Sequence, residues 1–205
     1  MSAHLDRFEI RLSGLGGQGI ITLGRILGHA LALHCGYFVT QTQSYGPEAR
    51  GGSSRSDLVV SSEPISYPKA ESLDLLVALS QEACNKFYRH LKPEGVLLIE
   101  TDLVRQPPSN VYIGLPFTEL ARERIKVAQA MNTIVLGALT HVLPFAQPRA
   151  MKKALEENLP AKIQALNVKA FNLGQREARK HFGPAPDIWE GDGREADEDE
   201  EYEVV

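Results

Sequence analysis

Hydrophobic and polar positions divide the chain into a first half built of short, strand-like apolar runs and a second half with helical periodicity. Residues 8–13 predict a strand, residues 14–17 a tight turn, and residues 18–34 a helix that carries Ile20, Ile21, Leu23, Ile26, Leu27, Ala30 and Leu31. Gly24 and Gly28 lie four apart on one face of that helix, where missing side chains let a sheet or another helix come close. Cys35 and Gly36 end it, residues 37–41 predict a second strand, and residues 43–54 form a long polar loop rich in glycine. Loops of that length inside compact domains are often functional. Residues 56–61 read as a strand, with Ser62, Glu63 and Pro64 as a turn into residues 65–67, which predicts a β-hairpin added to the sheet.

Residues 73–79 are an almost unbroken apolar run, as expected of a strand covered on both faces. A helix at 81–91, a turn at 92–95 and a second covered strand at 96–99 complete a βαβ unit, the signature of a parallel sheet. After the proline-rich break at 106–110, residues 111–115 predict a last strand, and helices follow at 118–125, 128–143, 148–158 and 161–181. The helix at 128–143 is apolar around most of its circumference, so it is buried on more than one side, as a core helix or a subunit contact. The predicted fold class is α/β: a Rossmann-like, mostly parallel sheet with flanking helices, an added β-hairpin and a C-terminal helical layer.

Length and composition narrow the setting. A chain of 205 residues buries a sizeable core, and residues 1–182 are expected to form a single α/β domain. The two most apolar stretches are interrupted by Arg25 and His29 and by Asn132 and His141, so no membrane span is expected. Residues 1–7 lack the apolar centre of a signal peptide, and Cys35 and Cys84 offer no disulfide framework; a reducing cytoplasm is the expected location. Charge is distributed unevenly. Residues 183–205 hold ten acids against Arg194, a charge of −9, and subtracting this from the whole-chain −4 leaves +5 for residues 1–182. The body therefore suits an anionic ligand, and like-charge repulsion predicts a disordered acidic tail. No nucleic-acid partner is expected.

Two glycine-rich constellations carry candidate chemistry. Gly14-Leu15-Gly16-Gly17-Gln18-Gly19 matches G-x-G-x-x-G after a predicted strand and at a helix N-terminus, where glycines bring backbone N–H groups close to a phosphate. A dinucleotide site also requires an acid near the end of the second strand; residues 39–43 contain none, which lowers that reading, and a Walker loop is excluded because no Gly-Lys-Ser/Thr follows. The second constellation, Ser44-Tyr45-Gly46-Pro47-Glu48-Ala49-Arg50-Gly51-Gly52, offers the Arg50 fork for a phosphate or carboxylate and glycines for close backbone approach. The alternative is an Arg50 paired structurally with Glu48 or Glu63. Ligands of open α/β sheets bind outside the carboxyl ends of the strands, so the loops after the first two strands are expected to border one anion site. Elsewhere the six histidines show no metal-ligand spacing, two isolated cysteines cannot hold an iron–sulfur cluster, and Gly191-Asp192-Gly193 only imitates the start of a thiamine motif.

Taken together, the two loops, Glu63-Pro64-Ile65-Ser66-Tyr67-Pro68 and the apolar run 73–79 resemble the gamma subunit, or gamma domain, of 2-oxoacid:ferredoxin oxidoreductases over residues 8–180. The wording of the second loop is most similar to the 2-oxoglutarate type. The resemblance implies a chain inactive alone that supports CoA-dependent oxidative decarboxylation to an acyl-CoA, with electrons passed to ferredoxin. It implies alpha and beta subunits as partners, with delta as a further candidate. Thiamine diphosphate, magnesium and iron–sulfur clusters would belong to those partners, none being bound by this chain alone, and CoA would be the co-substrate. No catalytic or metal-binding residue is carried over; the candidate cofactor-binding set is Gly14, Gly16, Gly17, Gln18, Gly19, Tyr45, Gly46, Arg50, Gly51 and Gly52. Alternatives are a subunit of a pyruvate, branched-chain 2-oxoacid or indolepyruvate enzyme, a purely structural assembly subunit, and a self-contained nucleotide-dependent enzyme.

Overall fold

The computed structural model describes residues 4–44, 53–109, 111–184 and Trp189. Among them, six strands, β1 (Phe8–Leu15), β2 (Phe38–Ser44), β3 (Ser53–Ser61), β4 (Leu73–Ala78), β5 (Leu91–Glu100) and β6 (Ile113–Leu115), form one sheet in the order β2-β3-β1-β4-β5-β6. β1, β4, β5 and β6 run parallel, while β3 lies antiparallel to both of its neighbours. The helices are α1 (Ile20–His29), α2 (Gln81–Phe87), α3 (Phe117–Leu120), α4 (Met131–Val142), α5 (Pro148–Asn158) and α6 (Ala161–His181). Wider π turns at Ala30–His34 and Ala121–Ile125 prolong α1 and α3.

Strand periodicity sorts the core into two layers. Ile10, Leu12, Leu58, Val60, Leu75, Val77 and Leu98 belong to the larger layer with α1, α4, α5 and α6. Val59, Leu76, Ala78, Leu97 and Ile99 belong to the smaller one, which Ala83, Cys84 and Phe87 of α2 cover. On this second face, Arg11 and Asp57 stand directly opposite each other in the β1–β3 register and form a buried two-pronged ion pair, Nε to Oδ1 at 2.7 Å and Nη2 to Oδ2 at 2.8 Å. Arg11 Nη2 also donates to the Ala70 carbonyl, and the guanidinium lies 4.9 Å from the centroid of the Phe87 ring.

Glycines decide how closely the helices approach. α1 rests on β3 at the expected pair: a Cβ on Gly24 would collide with the Ser56 hydroxyl, and one on Gly28 would lie 3.2 Å from Leu58 Cδ2. α4 and α6 cross at Gly137 and Gly174, where a Cβ on either would run into the other helix's backbone at Phe171 and Ile134. α4 is a core helix, with every residue except Asn132 and His141 buried, which settles the choice between core and subunit contact.

The hairpin is not where the sequence pattern put it. Residues 65–67 form no strand; β2 and β3 make the antiparallel pair instead. Pro64 and Pro68 each lack an N–H to donate to a ladder, and side chains hold the segment in place. Arg7 donates to the carbonyls of Tyr67 and Lys69, and the Glu9 carboxylate accepts from the N–H groups of Glu71 and Ser72. Residues 92–95, read as a turn, lie within β5 as an irregularity between the bridges Leu73–Leu91 and Leu75–Val96. The first helix starts at Ile20 rather than residue 18, because Gly17 and Gly19 adopt positive φ of 90° and 75°. Trp189, inside the segment expected to be a solvated tail, donates from Nε1 to the Val142 carbonyl and packs edge-on against Phe8. The rest of that acidic stretch lies outside the described residues.

Two substitutions test these contacts. Gly174→Ala should force α4 and α6 apart and lower unfolding free energy by about 3 kcal/mol in denaturant titration. Asp57→Ala, which leaves Arg11 buried without its carboxylate, should cost ~3–5 kcal/mol by the same measurement.

Candidate functional site

The first glycine loop caps the carboxyl end of β1, at the point where the chain's crossovers diverge. β1 feeds α1 and leads towards β2 on one side, whereas β4 feeds α2 and leads to β5 on the other. Open α/β sheets form their ligand crevice at such a place. Gly16 and Gly17 are exposed there. Beside them a cavity of about 290 Å3 is lined by Gly17, Gln18, Leu103, Thr118, Arg122 and Met131, among others, with Arg122 as its cationic group.

The loop's candidate residues divide into two kinds. Gly14 is buried inside β1, where a Cβ would collide with the Gln18 amide oxygen. Gln18 spends its side chain within the protein: Oε1 accepts from Leu15 N–H at 2.7 Å, and Nε2 donates to the Leu79 carbonyl at 2.9 Å. It thereby ties the turn after β1 to the end of β4 across the crevice. Gly19 combines its positive φ with close packing against the Asn132 amide at the start of α4. Gly17, also at positive φ, faces open space within 4 Å of a built Cβ. Gly16 and Gly17 are therefore the members of this set whose backbone is open to an anion.

Tyr45, Gly46, Arg50, Gly51 and Gly52 lie outside the described residues. The flanking strands still locate the two points where that segment joins the sheet. Leu15 pairs with Ser53, and Ser44 pairs with Arg55, so β2 ends and β3 begins at the sheet edge from which the glycine loop emerges.

A second cavity, of about 500 Å3, opens on the α2 face and includes Thr42, Gln43, Arg55, Lys69, Glu71 and His90 in its lining, with Arg11 and Asp57 among the wall residues. Arg11 is the only group among the described residues with a buried side-chain polar atom, Nη1, that lacks a hydrogen-bond partner. Burial first, then the positive charges of Arg11 and Arg89, hold the His90 pKa below its ordinary value, which keeps that imidazole neutral at neutral pH.

Glu100, which sequence reasoning did not single out, lies fully buried at the carboxyl end of β5. It accepts hydrogen bonds from Asp102 N, Thr118 N and Thr118 Oγ1 at 3.0, 2.7 and 2.9 Å, fastening the start of α3 beside the crevice. Burial raises its pKa and these donors partly oppose that rise. A single carboxylate in a strand-to-loop transition has no distinctive sequence signal, because its donors come from residue 118 and from its own turn.

The two cysteines fit no iron–sulfur cluster. Cys35 belongs to the larger core layer and Cys84 to the smaller, on opposite faces of the sheet. Both are buried, and burial pushes the Cys84 thiol up to about 11, far from a thiolate ligand's requirement. No helix among the described residues is long and apolar enough to cross a membrane.

The sequence profile of the pyruvate ferredoxin/flavodoxin oxidoreductase family matches residues 9–177. The chain belongs to that family. Among its relatives, the 2-oxoglutarate synthase subunit KorC of Methanocaldococcus jannaschii is 45% identical over 178 residues, covering 85% of this chain and 95% of the relative. The crystal structure of the keto/oxoacid ferredoxin oxidoreductase gamma subunit from Geobacter sulfurreducens superimposes with a TM-score of 0.79 at 36% identity, covering 86% of this chain and 99% of that one. The 2-oxoglutarate:ferredoxin oxidoreductase of Magnetococcus marinus, solved with 2-oxoglutarate, coenzyme A and succinyl-CoA, shares the fold with a TM-score of 0.76 over 86% of this chain and 32% of that one. At 23% identity it is evidence for the fold alone. The chain is thus a gamma-type subunit of the 2-oxoacid:ferredoxin oxidoreductases, as its motifs indicated.

The loop's internal clamp is open to test. Gln18→Ala orphans the Leu15 N–H and the Leu79 carbonyl and should lower stability by about 1–3 kcal/mol. Hydrogen exchange of the Leu15 amide should accelerate more than that of the β4 core.

Proposed function

We propose that this chain is the gamma subunit of a 2-oxoglutarate:ferredoxin oxidoreductase and contributes the CoA-side surface of a reaction that its partner subunits complete. The observation that carries this reading is the common edge: Leu15 opposite Ser53 brings the open backbone of Gly16 and Gly17 to the side of the sheet where residues 45–52 join it. Diphosphate and phosphate groups of CoA suit backbone N–H groups and the guanidinium fork of Arg50. The choice of 2-oxoglutarate follows the KorC relatives, identical at 45%, 39%, 38% and 37%. Pyruvate, ketoisovalerate and indolepyruvate subunits match at lower identity, 24–29%.

In this reading the alpha and beta subunits, with delta where present, hold thiamine diphosphate, magnesium and the iron–sulfur clusters, and ferredoxin receives the electrons. Thiamine diphosphate supplies the decarboxylation chemistry when bound there. This chain's own residues orient the acyl acceptor: Arg50 fixes a phosphate, the glycines admit it, and Gln18 and Glu100 hold the crevice walls in place. Two buried, unpaired thiols support a reducing cytoplasm.

A purely structural role is favoured by one specific feature, namely that Gly14, Gln18 and Gly19 are already engaged by neighbouring protein atoms. The readings separate in the assembled complex. Arg50→Ala should raise the KM for CoA about tenfold or more and leave the KM for 2-oxoglutarate unchanged, in an assay of low-potential acceptor reduction. Unchanged CoA kinetics in a fully assembled variant would remove Arg50 from the site, and loss of assembly with intact CoA affinity in whatever assembles would favour the structural role.

A further inference from the structure

At the end of α1 remote from the glycine loop, about 20 Å along the helical run from Ile20, three side chains converge. His29 Nε2 lies 2.8 Å and His34 Nε2 2.7 Å from the same carboxylate oxygen, Oε2 of Glu157. These potential ligand atoms all fall within 4.8 Å of one another. None takes part in the site described above.

The backbone explains the convergence. Residues five apart on an α-helix point about 140° away from each other. Between His29 and His34, however, the chain widens into the π turn Ala30–His34, closed by Cys35 N–H donating to Ala30 O at 3.0 Å. In an i→i+5 turn the sixth residue returns above the first, and π insertions of this kind recur at functional sites. The two rings accordingly stand 5.5 Å apart, centroid to centroid. Glu157 comes from the last turn of α5, so the cluster bridges two helices that are far apart in sequence. The side chains are 27%, 13% and 39% exposed, which leaves the point of convergence open to solvent.

The geometry points to a divalent transition-metal site, zinc being the reference ion, held by His29 Nε2, His34 Nε2 and a Glu157 carboxylate oxygen and completed by water. Two imidazoles and one carboxylate are the donor set that zinc accepts and that magnesium and calcium do not favour. Binding needs no redox step: each imidazole releases to solvent the Nε2 proton that it shares with Glu157 in the metal-free protein, keeps one on Nδ1 and offers the freed Nε2 lone pair to the ion. Lys153 stands beside the cluster, with Nζ 4.0 Å from Glu157 Oε1 and a side chain 61% exposed, so it can turn into solvent. The ion would act as a staple between the end of α1 and the end of α5.

The test uses the full-length, tag-free chain stripped with EDTA and titrated calorimetrically with zinc chloride. One saturable site per chain is expected, with a Kd of ~1 µM or tighter and a Tm raised by about 5 °C in excess zinc. His34→Ala and Glu157→Gln should each weaken binding about tenfold or more, while His4→Ala should leave it unchanged. Zinc-edge absorption should report two imidazole nitrogens at about 2.0–2.1 Å. If His34→Ala fails to fold, Glu157→Gln and the absorption spectrum still decide the matter. Absence of saturable binding overturns the proposal. So does binding that survives both substitutions, as zinc held by the acidic carboxyl-terminal residues would.

Discussion

The buried pair of Arg11 and Asp57 is the constraint on which the arrangement of the candidate site depends. β3 is the one strand of the described sheet that runs against its neighbours, and a one-residue slip of its register with β1 would turn every side chain to the wrong face. Arg11 opposite Asp57 also opposes a slip by two residues, which would keep the faces, because any displaced register would strand two charges in a layer where their side chains are 3% and 4% exposed. The same register, followed four residues along, brings Leu15 opposite Ser53. A charge pair deep in the sheet therefore determines which loops share an edge.

The pair is costly to bury, and its environment offsets the cost only in part. Two parallel hydrogen bonds, the Ala70 carbonyl and the face of Phe87 surround the guanidinium, yet Nη1 has no partner. A hydrophobic pair would pack more cheaply but would not select one register so sharply. The side wall beyond it, with Arg55 and Lys69, continues the basic character that the body's charge of +5 already implied.

Around this frame the chain uses small residues to gain proximity and long polar ones to hold it. Gly24 and Gly28 lower α1 onto β3, Gly137 and Gly174 lock α4 against α6, and Gln18 and Glu100 fasten opposite sides of the crevice. What is left open at the crevice is backbone at Gly16 and Gly17. In the proposed reading, that open backbone is what receives an anionic group.

Periodicity alone was enough to determine the α/β class, the covered strands β4 and β5, and the two C-terminal helices to their end residues, since apolar spacing is a local property and burial follows it. The G-x-G-x-x-G loop and its place at a strand end were equally legible, and so was the family. Side chains that join distant segments were not. Whether Gln18 meets a ligand or the Leu79 carbonyl, whether residues 65–67 pair as a strand or hang from Arg7 and Glu9, and whether His29 and His34 share one carboxylate all depend on partners some 60 to more than 120 residues away. Read along the chain, the histidines show no metal-ligand spacing. Only the π turn and the packing of α5 against it brought both to Glu157, because that contact exists only once the helices have docked.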